Sequence, residues 1–105
     1  MNKQLNSNKS YRCNSVKKIE KWREAIDSID HRIIKLIHQR LKLVEKISLV
    51  KNEKKMPLFQ KKRLTYMLKE RAIFGKKHNL SKKVIIGLVR FLHNTSLNHQ
   101  KNKLD

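Results

Sequence analysis

From Ile19 the apolar positions run Ile19, Trp22, Ile26, Ile29, Ile33 and Leu36, then, after Arg40, Leu43, Ile47 and Val50. The steps alternate three and four, the heptad spacing of a helix that turns one seam toward other helices. This pattern predicts a first helix over about residues 19–52. Its early turns carry Glu20, Glu24, Asp27 and Asp30, which suits the positive end of a helix dipole. Asn52 to Pro57 reads as a loop, because Pro57 disfavours helix at Met56. A second helix is expected over about 59–78, with Leu64, Met67, Leu68 and Ala72 facing inward. Asn79-Leu80-Ser81 breaks the pattern. Ser81 reads as an N-cap and Leu80 as a staple against Ile85. The third helix is expected over about 82–100, with an inner stripe of Ile85, Leu88, Val89 and Leu92, then Ser96 and Gln100.

Residues 1–18 are polar, basic and aperiodic and read as a flexible arm. Residues 101–105 read as a frayed end. What lies between, residues 19–100, is one all-α domain of one long and two shorter helices, without an internal repeat. The length of the first helix sets the quaternary expectation. About 33 residues at about 1.5 Å each span about 50 Å, whereas a 100-residue domain has a radius of gyration of only about 13 Å. Two shorter helices of the same chain cannot cover so long a seam. A second copy is expected to do so, in an intertwined homodimer about a two-fold axis.

Charge interrupts this seam. Arg40 takes a seam position, and Lys51, eleven residues on, projects from nearly the same side. Cations aimed into a helical interior are costly unless an anion meets them, and no acid lies on that seam. Either acids on another helix neutralise them, or the interior holds a pocket for an anionic ligand. The third helix also turns polar at Ser96 and Gln100, four apart on one face. Arg63 sits early in the second helix, away from Leu64. Arg23 lies about a quarter-turn off the face of Arg40, so one helix cannot easily aim both at one pocket, though a partner's helix can. Each residue also has a plainer reading. An Arg in a seam can set register or snorkel outward, and Lys51, Arg63, Ser96 and Gln100 can each be solvated or fill a gap. The joint spacing is what lifts the set.

The remaining composition narrows the classes. Net charge is +19, from 27 basic and 8 acidic residues, which raises nucleic-acid binding as a non-enzymatic alternative. Twenty of the cations are Lys, spread through every segment, and nine residues are Asn. That resembles a general compositional bias more than a binding stripe. Aromatic residues do not alternate with the cations, so stacking platforms are not evident, and a nucleic-acid partner is not the expectation. The polar N-terminus has no apolar core of a secretory signal, and no run of eighteen apolar residues points to a membrane span. A lone Cys13 excludes a disulfide framework and fits a reduced, cytoplasmic setting. His31 and His38 share a helix face without a Cys or acidic ligand pattern, so no metal site is expected.

The ordered set Arg23, Arg40, Lys51, Arg63, Ser96 and Gln100 resembles the all-helical, type II chorismate mutases. It comes with the framework WREAIDSIDHRIIKLIHQR, the Pro57 loop and the S-x-x-x-Q ending. The resemblance covers about residues 19–100 without insertion or deletion. It implies conversion of chorismate to prephenate, a pericyclic step of aromatic amino acid biosynthesis, with no cofactor and no covalent intermediate. It further implies that Arg40 holds one substrate carboxylate with help from Ser96, and that Arg23 of the other subunit holds the second. Lys51 and Gln100 would bond the ether oxygen, and Arg63 would complete the cationic wall. Two positions depart from the family pattern. Leu64 stands where a Glu usually binds the substrate's ring hydroxyl, and Gln60 stands where Asp is common. The related isochorismate pyruvate lyases of salicylate formation also carry an aliphatic residue at the Leu64 position. Lyase activity is therefore the runner-up, beside a mutase of an amino-substituted chorismate and an inactive regulatory domain of the same fold.

Overall fold

The computed structural model describes the backbone of residues 2–104 and the side chains of residues 14–102. Three helices make up the described chain: α1 Asn2–Glu53, α2 Lys61–Lys77 and α3 Lys82–Leu104. The all-α expectation holds, with no strand among the described residues. Three boundaries differ from those read in the sequence. α1 starts at Asn2 rather than near Ile19, because no Gly or Pro interrupts the polar stretch before it. α2 starts at Lys61, two residues after Phe59, and α3 continues past Gln100 to Leu104. The side chains of residues 1–13, Cys13 among them, and of 103–105 lie outside the described residues, and with them most of the expected basic arm and frayed end.

The chain divides into two units, residues 1–38 and 39–105. In the first, α1 carries its apolar seam outward: Trp22 is 62% exposed and Ile26 53%. In the second, the end of α1 buries Val44 and Ser48, with Arg40 and Lys51 half-buried on the same face at steps of three and four. Leu43, Ile47 and Val50 are exposed in the single chain, although Ile47 lies only about 20° around the helix from Arg40.

The core of this unit is small. Met67 of α2 packs with Ile85 and Val89 of α3, and Leu64 and Leu68 cover the cluster. Leu88, expected inside, is 48% exposed. The inner row of α3 is Ile85, Val89, Ser96 and Gln100, and Leu88 falls with Val84 and Phe91 on another face.

Both inter-helix turns close in the same way. Met56 N–H donates to Lys51 O at 2.8 Å and Lys55 N–H to Asn52 O at 3.2 Å, with Lys55 at φ 54°. Leu80 N–H donates to Gly75 O at 2.9 Å and Asn79 N–H to Lys76 O at 3.1 Å, with Asn79 at φ 59°. These pairings form Schellman caps, which satisfy the last carbonyls of α1 and α2. Ser81 caps α3 as expected, its Oγ accepting the Val84 N–H at 3.2 Å.

At Gly75, α2 has no room for a side chain against α3. A Cβ there would overlap Cγ1 and Cδ1 of Ile85, which is buried and, being β-branched, has little rotamer freedom. Overpacking of this kind costs about 1–3 kcal/mol, against about 1 kcal/mol of better helix propensity. Gly75→Ala is therefore expected to lower the denaturation midpoint. An unchanged midpoint would mean that the two helices part without cost.

Candidate active site

Residues of the second unit enclose a cavity of about 200 Å³. Arg40, Val44, Ile47 and Lys51 come from α1, Arg63 and Met67 from α2, and His93, Ser96, Leu97 and Gln100 from α3. Leu58 and Gln60, from the connection before α2, complete the wall. The helical register explains the gathering. Positions 40, 44, 47 and 51 share one face of α1, and 93, 96, 97 and 100 share one face of α3.

Hydrogen bonds hold the polar groups in place. Arg40 Nη1 donates to Leu92 O at 3.2 Å and to Ser96 Oγ. The Ser96 hydroxyl is also 2.7 Å from the same Leu92 carbonyl. One nitrogen of the guanidinium is thus anchored to α3, and the rest of its planar fork remains for a ligand. Lys51 Nζ donates to Leu58 O at 2.8 Å and to Gln100 Oε1 at 3.2 Å. An ammonium has three N–H donors, so one is left over. Because Gln100 turns its oxygen to Lys51, its amide NH2 faces away from it. One contact of that NH2, to Ser96 O, is long at 3.4 Å.

No Asp or Glu lines the cavity. The nearby acids are committed elsewhere: Glu45 contacts His99 at 2.8 Å and Glu70 pairs with Arg71 at 2.8 Å. The cations are left to repel one another. Arg40 is pushed below its ordinary pKa, first by burial and then by Arg71 and Arg63. Burial also lowers Lys51. His93 is lowered by burial, then by Arg40 and Lys51. A polypeptide gains nothing by holding like charges in a partly dry space. An entering anion removes the repulsion, so the cavity is built to receive negative charge.

The cavity brings together five residues singled out in the sequence, Arg40, Lys51, Arg63, Ser96 and Gln100, and it includes Gln60. Leu64 does not line it; the side chain packs on the Met67, Ile85 and Val89 cluster instead. Arg23 belongs to the first unit, residues 1–38. Arg63 lies over the Tyr66 ring, its guanidinium carbon 5.5 Å from the centroid. The sequence reading missed His93, Arg71 and the Leu58 carbonyl. A signal for His93 was present: it precedes Ser96 by three and Gln100 by seven, so it shares their face. The Leu58 carbonyl carries no sequence signal at all.

Comparison with known proteins agrees with this geometry. The family model described as chorismate mutase type II matches residues 22–101. A curated relative named chorismate mutase, from Methanocaldococcus jannaschii, is 30% identical over 87 residues, covering 81% of this chain and 88% of that protein. A second, named bifunctional chorismate mutase/prephenate dehydratase, from Buchnera aphidicola subsp. Acyrthosiphon pisum, is 34% identical over 83 residues. It is covered over 79% of this chain but only 22% of its own length. No solved structure matches the chain with significance. The matched segment runs from just before Arg23 to just past Gln100 and holds every cation that lines the cavity, and on that ground the chain belongs to the chorismate mutase type II family.

Proposed function

We propose that the protein is a chorismate mutase, turning chorismate into prephenate by an intramolecular rearrangement in aromatic amino acid biosynthesis. One observation carries the reading: three helices converge Arg40, Lys51, Arg63 and Gln100 on a single cavity that contains no acid. Chorismate is a dicarboxylate, and its rearrangement breaks one C–O bond while forming one C–C bond within the same molecule. Such a step needs no acid, base or nucleophile. It needs a flexible dianion held in its reactive shape. The free part of the Arg40 fork suits one carboxylate, with Ser96 fixing the fork. As the C–O bond lengthens, negative charge grows on the ether oxygen. The spare N–H of Lys51 and the amide of Gln100 are donors for that charge. Donors set before the reaction stabilise the transition state more than the ground state.

The cavity of one chain supplies a fork for one carboxylate and Arg63 as a further cation. In this reading Arg23 of a second copy binds the other carboxylate. The outward seam of α1, with Trp22, Ile26 and Ile33 exposed, supports a homodimer in which that seam is covered. No described helix is long and apolar enough to cross a membrane, and a cytoplasmic setting suits a biosynthetic enzyme.

The deciding experiment offers purified protein chorismate and isochorismate side by side. Prephenate formation from the first is expected. Turnover of isochorismate alone, releasing pyruvate, would replace the mutase reading with the lyase one. Leu64→Glu tests the departure from the family pattern. A carboxylate at this position is expected to raise mutase activity per folded molecule, while costing stability because Leu64 covers the core cluster. No gain in turnover would remove Leu64 from the account of substrate choice.

A further inference from the structure

Every charged group that lines the cavity is a hydrogen-bond donor. Arg40, Lys51 and Arg63 cannot accept, and Gln100 has turned its acceptor oxygen to Lys51. Chorismate, however, carries a ring hydroxyl as well as its carboxylates and ether oxygen. A buried hydroxyl can accept from these donors, but its own O–H goes unsatisfied unless an acceptor faces it. Leu64 offers none, and it packs away on the core cluster.

His93 is the group that fits. It lies on the same face of α3 as Ser96 and Gln100 and lines the same cavity. Its ring stands edge-on to Phe59, 5.5 Å between centroids at 70°, a contact that favours one ring orientation. Neither ring nitrogen has a hydrogen-bond partner among the described residues. Gln60 also lines the wall, but from the junction before α2, and its side chain makes no capping bond that would fix it. We infer that His93 accepts a hydrogen bond from the ring hydroxyl of the substrate and is a specificity residue of this cavity. The inference rests on the chorismate reading above. The electrostatics are consistent with it: burial, Arg40 and Lys51 all favour the uncharged imidazole, the form that keeps a lone pair on one nitrogen.

The test compares two substrates on three proteins: chorismate and its analogue with hydrogen in place of the ring hydroxyl, on wild type, His93→Phe and His93→Gln. Phe keeps a ring against Phe59 and removes the acceptor; Gln restores an acceptor without the ring. His93→Phe is expected to lower kcat/KM for chorismate by about tenfold to a hundredfold and to leave the analogue unchanged. His93→Gln is expected to recover part of the loss. Equal losses on both substrates, or no loss on chorismate, would overturn the assignment while leaving the mutase reading intact. Wild-type protein that turns over neither substrate would overturn both. A readout on unsubstituted protein guards against a misfolded variant. Prephenate keeps the hydroxyl, so its binding is expected to move the 15N signal of the accepting ring nitrogen. A signal that stays in place with prephenate bound would count against the assignment.

Discussion

Arg40→Ala should lower kcat/KM at least about a hundredfold, the scale seen when a preorganised charge-stabilising donor is lost, without unfolding the protein. The first half follows from how the fork is held. One nitrogen is fixed to Leu92 O and Ser96 Oγ on α3, so the rest meets a carboxylate at little further entropic cost. Ala removes both the charge and the orientation. Arg40→Lys is expected to rescue little, because an ammonium is a point charge and cannot present two parallel N–H groups. The second half follows from electrostatics. Burial and the neighbouring Arg71 and Arg63 already disfavour the charged side chain, and Ser96 keeps its bond to Leu92 O at 2.7 Å without it. Thermal melting of the variant should match or exceed wild type, and a saturating dianionic ligand should stabilise wild type far more than the variant. Near-normal turnover by Arg40→Ala would remove this residue from the site.

Lys51→Ala is the other large effect expected, a loss of about a hundredfold to a thousandfold that falls mainly on kcat. The ammonium is not aimed at a carboxylate, which is present equally in ground and transition states. It is aimed, in our reading, at an oxygen whose charge grows only as the bond breaks, and such interactions act on kcat. Its other bonds, to Leu58 O and Gln100 Oε1 at 2.8 and 3.2 Å, hold the loop and the amide in place. Lys51→Ala therefore also loosens Gln100, and the double variant with Gln100→Ala should lose less than the product of the single losses. A rise in KM with kcat unchanged would instead make Lys51 a simple binding group.

The same residue links activity to pH. Burial holds the Lys51 pKa below that of a free lysine, so the protonated form needed for charge stabilisation is lost earlier on the alkaline side than an exposed lysine would allow. Stability moves the other way. Between the folded and the higher unfolded pKa, the unfolded chain binds more protons, so stability rises with pH there. The contribution of Lys51 to folding is a penalty at neutral pH that is relieved as pH climbs through its folded pKa. Turnover falling and stability recovering over one alkaline window is the signature of a cation kept for function. In Lys51→Ala this component of the stability profile should vanish.

Much of this was legible along the chain, for reasons of local chemistry. Helix type and number follow from the three-and-four spacing, and the breaks at Pro57 and Ser81 follow from a missing conformation and a capping hydroxyl. Convergence of Arg40 with Lys51, and of Ser96 with Gln100, follows from helical periodicity within single helices. Packing is where reading along the chain failed. Ile85, Leu88 and Val89 all looked inward by hydrophobicity, yet of these only Ile85 and Val89 are buried, where Gly75 lets α3 press on α2. The seam of Leu43, Ile47 and Val50 looked inward as well, yet it is exposed in the single chain, and Val44 and Ser48 are the residues that α1 buries.

The amino-acid order alone therefore determined what repeats at short range: three helices, their breaks, and cations on faces that ought to be dry. Tertiary structure alone decided which stripe became the wall of a cavity. It also decided that a loop carbonyl steadies Lys51, and that His93 lines the cavity beside cations that, with burial, lower its pKa. The physical reason is range. Periodicity and capping act over one or two turns of one helix, whereas burial and the fields of distant charges are sums over elements that meet only when the chain has folded.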